Sequence, residues 1–266
     1  MSMSEDERDP VDDAALSPET FAVDPPTLTA IVGRRAPDGT IIELEVAYAE
    51  IDGKAIHEGD IMIGDAIEVA DREKFRKSPY LGHVIARAGG TWPNGVLPYL
   101  ADESSARVVG KVAAHLAAKT NVRLQPRSTE ESFVRFVTDS SNHSKVGRQG
   151  GEQIVSLTAG CTMGTALHET CHALGLWHEQ CRKDRDEHIE IVAANVLPGC
   201  MPQFAVQKTD AACVGPYDYR SIMHYGPSEF SSPSGAITIR TKGGGSIGQR
   251  DGLSPGDIAT LSSLYP

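Results

Sequence analysis

The chain has 266 residues, 40% of them hydrophobic, and a formal net charge of −11. That apolar content is ample for a core and argues against global disorder. The absence of a basic stripe speaks against nucleic acid as a partner, and no apolar run approaches the length needed to span a membrane. The charge is unevenly placed: residues 1–82 hold 19 acidic and 8 basic side chains, whereas the remainder is balanced at 17 of each. An acidic leader therefore precedes a neutral body.

In chain order, residues 1–26 are acidic and carry Pro10, Pro18, Pro25 and Pro26, the composition of a flexible leader. The hydrophilic start, Met1 to Glu7, lacks the basic and apolar regions of a secretory signal. Ile42, Leu44, Val46 and Tyr48 alternate as a strand does, and a turn at Asp52-Gly53 leads to a second extended segment at Ile61-Met62-Ile63. Val108, Val109, Val112, Ala113 and Leu116 recur at helical spacing and predict a helix over 104–119. Strand-like segments follow at 132–137 and 153–157, then a helix over 165–175. Glycine, proline and serine become frequent past His178, and a last helix over 255–264 has Ser254 as its N-cap. The pattern indicates an α+β domain with a cleft between two subdomains.

The helix over 165–175 carries the chemistry. His168, Glu169, His172, Gly175 and His178 spell H-E-x-x-H-x-x-G-x-x-H. Residues four apart share a helix face, so His168 and His172 can offer two imidazoles to one metal ion. Gly175 allows the left-handed backbone that ends a helix and lets His178 return as a third ligand. Three nitrogens with an open position describe a catalytic zinc site, whereas a structural site is closed by a fourth ligand. Glu169 is displaced from that face and can instead reach a metal-bound water as general base and then acid.

The run from His178 to Asp186 resembles the H-E-Q-x-R-x-D-R-D signature of the astacins, a branch of the metzincin zinc proteases. Tyr217 to Tyr225 is similar to their Met-turn, and Trp92 to Tyr99 to the start of their catalytic domain. The resemblance covers about residues 83–266. It implies a zincin-like catalytic domain over 83–266, with an upper subdomain to about residue 178 and a lower one from about 179, preceded by a pro-segment over 1–82. It implies an endopeptidase with one catalytic Zn2+, protein or peptide substrates, an activating protease, and secretion despite the absent signal. A monomer is favoured.

The resemblance also assigns roles. Tyr225 would be a resting-state zinc ligand that swings away to hydrogen-bond the tetrahedral intermediate, and Met223 would be apolar packing beneath the metal. Glu179 would contact the amino terminus created by processing near Lys77 to Val84. Arg182, Arg185 and Asp186 read as a structural ion-pair cluster. His57-Glu58-Gly59-Asp60 resembles the F-x-G-D motif of astacin pro-segments, which makes Asp60 the carboxylate that blocks the metal in a latent form; Gly64-Asp65 is a rival. Arg250 is the candidate for binding an acidic substrate residue.

The five cysteines depart from the family. Asn121 and Asn142 stand where two of the expected disulfide partners would be, and Cys171 and Cys181 are too far apart on a straight helix to bridge. A Cys200–Cys213 bond and five free thiols are both open. The alternative to an active protease is an inactive, zinc-stabilised binding protein on the same fold.

Overall fold

The structure is a computed structural model and describes residues 28–35, 41–70, 90–206 and 213–266. The expected flexible leader over 1–26 and the processing region around 77–84 lie outside the described residues.

Nine strands form one sheet: β1 (Leu28–Arg35), β2 (Ile41–Ile51), β3 (Lys54–His57), β4 (Ile61–Asp65), β5 (Val96–Ala101), β6 (Arg123–Pro126), β7 (Phe133–Asp139), β8 (His143–Ser144) and β9 (Glu152–Thr158). Their spatial order is β1-β2-β3-β4-β8-β9-β7-β5-β6, so the four N-terminal strands extend a five-stranded body. Asp52 and Gly53 have φ of 49° and 75°. Two left-handed residues in succession match the twist of paired strands, and the turn read from sequence closes the β2–β3 hairpin with Ile51 opposite Lys54. The next hairpin pairs His57 with Ile61, leaving Glu58, Gly59 and Asp60 at its tip. β1 and β3 have no counterpart among the expected elements; the four residues of β3 are too few to display a period.

Five α-helices lie among the described residues: α1 (Ala66–Ala70), α2 (Ala106–Lys119), α3 (Met163–Ala173), α4 (Arg185–His188) and α5 (Pro255–Leu264). On α2, Val109, Val112 and Leu116 are buried, the face that the spacing defined. α3 starts two residues before its expected position because Thr162 is its cap, accepting the Thr165 N–H. Ser254 caps α5 as expected, in a reciprocal pair with Asp257. The main core gathers Trp92, Leu97, Leu116, Phe136, Leu157, Leu167 and Leu261 around α3. Trp92 also donates its indole N–H to the Ala173 carbonyl at 2.9 Å.

Below α3 the chain is loop-rich, with one small sheet of β10 (Ile189–Ile191) and β11 (Ile239–Thr241). Ile189, Phe204, Tyr217, Tyr225 and Ile239 form its core. The N-terminal strands have a core of their own: Val46, Tyr48, Ala55, Ile61, Ile63 and Val69 pack on Val146, with Trp177 against them. None of the five cysteines is in a disulfide, so a Cys200–Cys213 bond is not formed; Cys213 is exposed while Cys200 is half-buried.

Candidate metal centre

Every residue of α3 from Gly164 to Ala173 is buried, so the helix runs through the interior and its polar side chains must be satisfied there. His168 and His172 lie one turn apart. After Ala173 the Gly175 N–H bonds the His172 carbonyl at 2.8 Å and the Leu176 N–H bonds that of Cys171 at 3.0 Å. Gly175 adopts φ 106°, the left-handed region that favours glycine, and the chain reverses to deliver His178.

The three imidazoles converge. His172 Nε2 and His178 Nε2 are 3.3 Å apart, and the candidate ligand atoms of Asp60, His168, His172 and His178 all lie within 4.8 Å of one another. His168 Nδ1 lies 2.8 Å from the Ile222 carbonyl and His172 Nδ1 lies 2.8 Å from that of Leu176. A carbonyl only accepts, so both rings carry their proton on Nδ1 and turn an Nε2 lone pair inward. His178 Nδ1 does the same toward Glu58 Oε2 at 3.0 Å.

Asp60 enters from the tip of the β3–β4 hairpin. Its Oδ2 is 3.0 Å from His168 Nε2, and its Oδ1 is 3.2 Å from His178 Nε2 yet forms no hydrogen bond. Three inward lone pairs and a buried carboxylate repel one another unless a cation lies among them, so the donor set fits a metal ion. The rival Asp65 is exposed and pairs with Lys54 Nζ at 2.9 Å.

With the geometry in place, the comparisons with known proteins decide its lineage. The family model for astacin, a peptidase family, matches residues 84–266. The chain belongs to the astacin family. The zinc metalloproteinase nas-4 of Caenorhabditis elegans is 36% identical over 221 residues, covering 78% of this chain and 69% of that protein. Nas-6 of the same worm is 32% identical over 90% of this chain and 73% of its own length. The solved structure of high choriolytic enzyme 1, a hatching-enzyme zinc protease of the medaka Oryzias latipes, superposes with a TM-score of 0.60 at 34% identity, covering 66% of this chain and 92% of that one. The resemblance read from the motifs is borne out: this is an astacin-type metalloendopeptidase with the family's α+β fold, and peptides are its substrate class.

Glu169 is buried one position along α3 from His168. Met223 is buried among Ile222, Leu174 and Leu176 in the main core. Tyr225 donates its hydroxyl to the Glu58 carbonyl, and its ring lies 4.8 Å from that of His178. Glu179 accepts the Asp218 N–H at 2.8 Å and pairs with Arg182 at 3.3 Å, while burial pushes its carboxyl up to about 7. Arg182 also pairs with Asp184, and Arg185 with Asp186. Arg250 is half-buried, and its Nη1 donates to the carbonyls of His224 and Gln249. Its backbone carbonyl passes so close to Gly164 that a Cβ there would sit 1.7 Å away, which explains a glycine in the first turn of α3.

Three residues of the site escape a reading of the sequence. Asp257 is visible there only as a helix-start residue, and Gln180, whose Oε1 accepts the Tyr225 N–H at 3.0 Å, only as a motif position. Glu58 is one acid among many in the leader. Burial opposes its charge, but His57 and His178 outweigh that and hold its carboxyl down to about 2.

Proposed function

We propose that the chain is a latent zinc endopeptidase, with residues 1–82 a pro-segment that an activating protease removes and residues 83–266 the catalytic domain, divided near residue 178 into upper and lower subdomains. The observation that carries this reading is the position of Asp60, a buried carboxylate set among three imidazole Nε2 atoms at the tip of an N-terminal hairpin. The N3O donor set suits four-coordinate zinc, with the carboxylate at the position that a catalytic site keeps open.

Bound zinc supplies a Lewis acid that makes water acidic near neutrality and polarises a carbonyl. Once Asp60 leaves, Glu169 takes the proton of the attacking water and passes it to the departing amine. Tyr225, released from the Glu58 carbonyl, serves as a resting-state ligand and then hydrogen-bonds the developing oxyanion. Substrate lies along β8. In the uncut chain that edge is taken by β4, which pairs in parallel at Ile61 and Ser144, with the Ser144 N–H on the Asp60 carbonyl at 2.9 Å. Removing the hairpin frees those groups for an extended peptide, the strand-addition mode. Glu179 receives the new amino terminus, and Arg250 recognises an acidic side chain beyond the scissile bond. The enzyme is secreted and acts as a monomer. Among the described residues no helix is long and apolar enough to cross a membrane.

The test is D60A in the uncut chain. It should cleave peptides that uncut wild type leaves intact, and the D60A/E169A double variant should not. An inactive, folded, zinc-containing D60A protein would overturn the latency reading.

A further inference from the structure

Glu58 has a conformation and a set of partners that the blocking role of Asp60 does not require. It sits at φ 48°, a left-handed backbone that disfavours side chains other than glycine, asparagine and aspartate, and a residue persists there only when its surroundings hold it. Its side chain is fully buried. One carboxylate oxygen takes the Nδ1–H of His178 at 3.0 Å, and the other lies 3.3 Å from His57 Nε2. His57 Nδ1 lies in turn 2.7 Å from the Ala47 carbonyl on the neighbouring strand. Both ring nitrogens of His57 thus face acceptors, an arrangement that favours the imidazolium. His57 and the Glu58 carboxylate stand in line behind the third metal ligand, the His178 imidazole.

An imidazole whose outer N–H is held by a carboxylate is fixed in orientation and made a more basic ligand. The outer acceptors of His168 and His172 are carbonyls of the catalytic domain, Ile222 and Leu176. The outer acceptor of His178 alone is ionic, and it alone comes from the N-terminal hairpin.

We propose that Glu58, anchored by His57, is a positioning residue of the metal centre that acts through His178, so that the uncut chain holds its zinc more tightly than the processed enzyme does. The inference rests on the latency reading for the departure of the hairpin. It adds a second task for that hairpin: Asp60 occupies the metal, while Glu58 braces the ligand that the lower subdomain's first residues must keep in place. Cutting the chain therefore removes a ligand and an ionic brace together.

The experiment follows zinc loss from the full chain to an excess of chelator, read by a chromogenic zinc indicator, in wild type, E58Q, E58A and D60A. E58Q keeps the size of the side chain and loses its charge; E58A removes the acceptor. Both should release zinc about tenfold to a hundredfold faster than wild type, the usual effect of losing an outer partner of a metal ligand. Folded E58Q and E58A proteins that release zinc at the wild-type rate would overturn the proposal. D60A separates the two ideas. Peptidase activity in uncut D60A with wild-type zinc retention in E58A upholds latency and sinks the brace. An inactive D60A with rapid zinc loss from E58A does the reverse. Should neither Glu58 variant fold, the imidazole 15N–1H spectrum of zinc-loaded wild type decides. A slowly exchanging His178 Nδ1–H signal, lost on processing, supports the brace, and its absence from the uncut chain refutes it.

Discussion

Asp257 and Ile222 connect the last helix of the chain to His168, the first candidate metal ligand, through the backbone of a single residue. Asp257 Oδ2 accepts the Ile222 N–H at 2.9 Å, and the Ile222 carbonyl accepts from His168 Nδ1 at 2.8 Å. Its other oxygen takes the Ser221 hydroxyl at 2.6 Å, whose Oγ accepts the Met223 N–H. Asp257, the capping-box partner of Ser254, therefore also fixes the Met-turn, which explains why a helix start far along the sequence bears on the site.

From this follows the effect of D257A. It leaves the buried Ile222 N–H and Ser221 hydroxyl without their acceptor, and each such loss costs about 1–3 kcal/mol. Urea denaturation should show a drop of that order or above, and processed D257A should also cleave more slowly because His168 is less firmly oriented. Stability equal to wild type would show that the Met-turn is held by other means.

Asp102 gives a prediction in pH. Its Oδ1 accepts the Ser105 N–H at 2.7 Å at the start of α2, and its Oδ2 accepts the Thr138 N–H at 2.6 Å near the end of β7. Burial is the largest single influence and works against the charge, but the bonds from Ser105 and Thr138 together outweigh it and hold the carboxyl below its ordinary 3.8. The folded state is thus harder to protonate than the unfolded one, so this contribution is complete above 3.8 and is lost as pH falls through the folded value. D102N should be less stable than wild type at neutral pH, with a gap that narrows on acidification below about 3.8. A gap that stays constant with pH would contradict the assignment.

The two asparagines at expected disulfide positions give a third. Asn121 Nδ2 donates to the Tyr265 carbonyl at 3.3 Å, tying the end of α2 to the last residues of the chain. Asn142 Oδ1 accepts the Thr158 N–H at 2.7 Å and its hydroxyl at 3.2 Å, tying the residue before β8 to the last residue of β9. Hydrogen bonds thus act where the family expectation puts covalent links. N142A should lower stability by about 1–2 kcal/mol in thermal or urea melts, and a reductant should leave the wild-type melt unchanged. A reductant-sensitive melt would mean that cysteines pair in solution.

How much of this is legible in the sequence depends on range. His168, His172, Gly175 and His178 lie within eleven residues, and helical geometry dictates their convergence, so spacing is enough. The resemblance to the pro-segment motif brings in Asp60, which lies 108 positions from His168 in sequence. Glu58 and Asp257 stay hidden because their roles depend on long-range partners, His178 and Ile222, and a carboxylate in an acidic leader or a helix cap has a common explanation nearby. The β1–β4 meander is half legible. The alternation in β2 is clear, whereas the four residues of β3 are too short for a period, and their pairing is set by left-handed turns at Asp52-Gly53 and Glu58-Gly59.

The most direct test of the account is a peptide-library digest with zinc-loaded protein, comparing the uncut chain, the chain processed near residue 83, and processed E169Q. The account predicts internal peptide-bond cuts by the processed form, none by the uncut form, and a loss of about 10²–10⁴ in rate for E169Q at unchanged zinc content. Enrichment of acidic residues just after the cut bond, lost in R250A, would carry the specificity assignment with it. A folded, zinc-containing processed protein that cuts nothing, or cuts equally well without Glu169, would contradict the central claim.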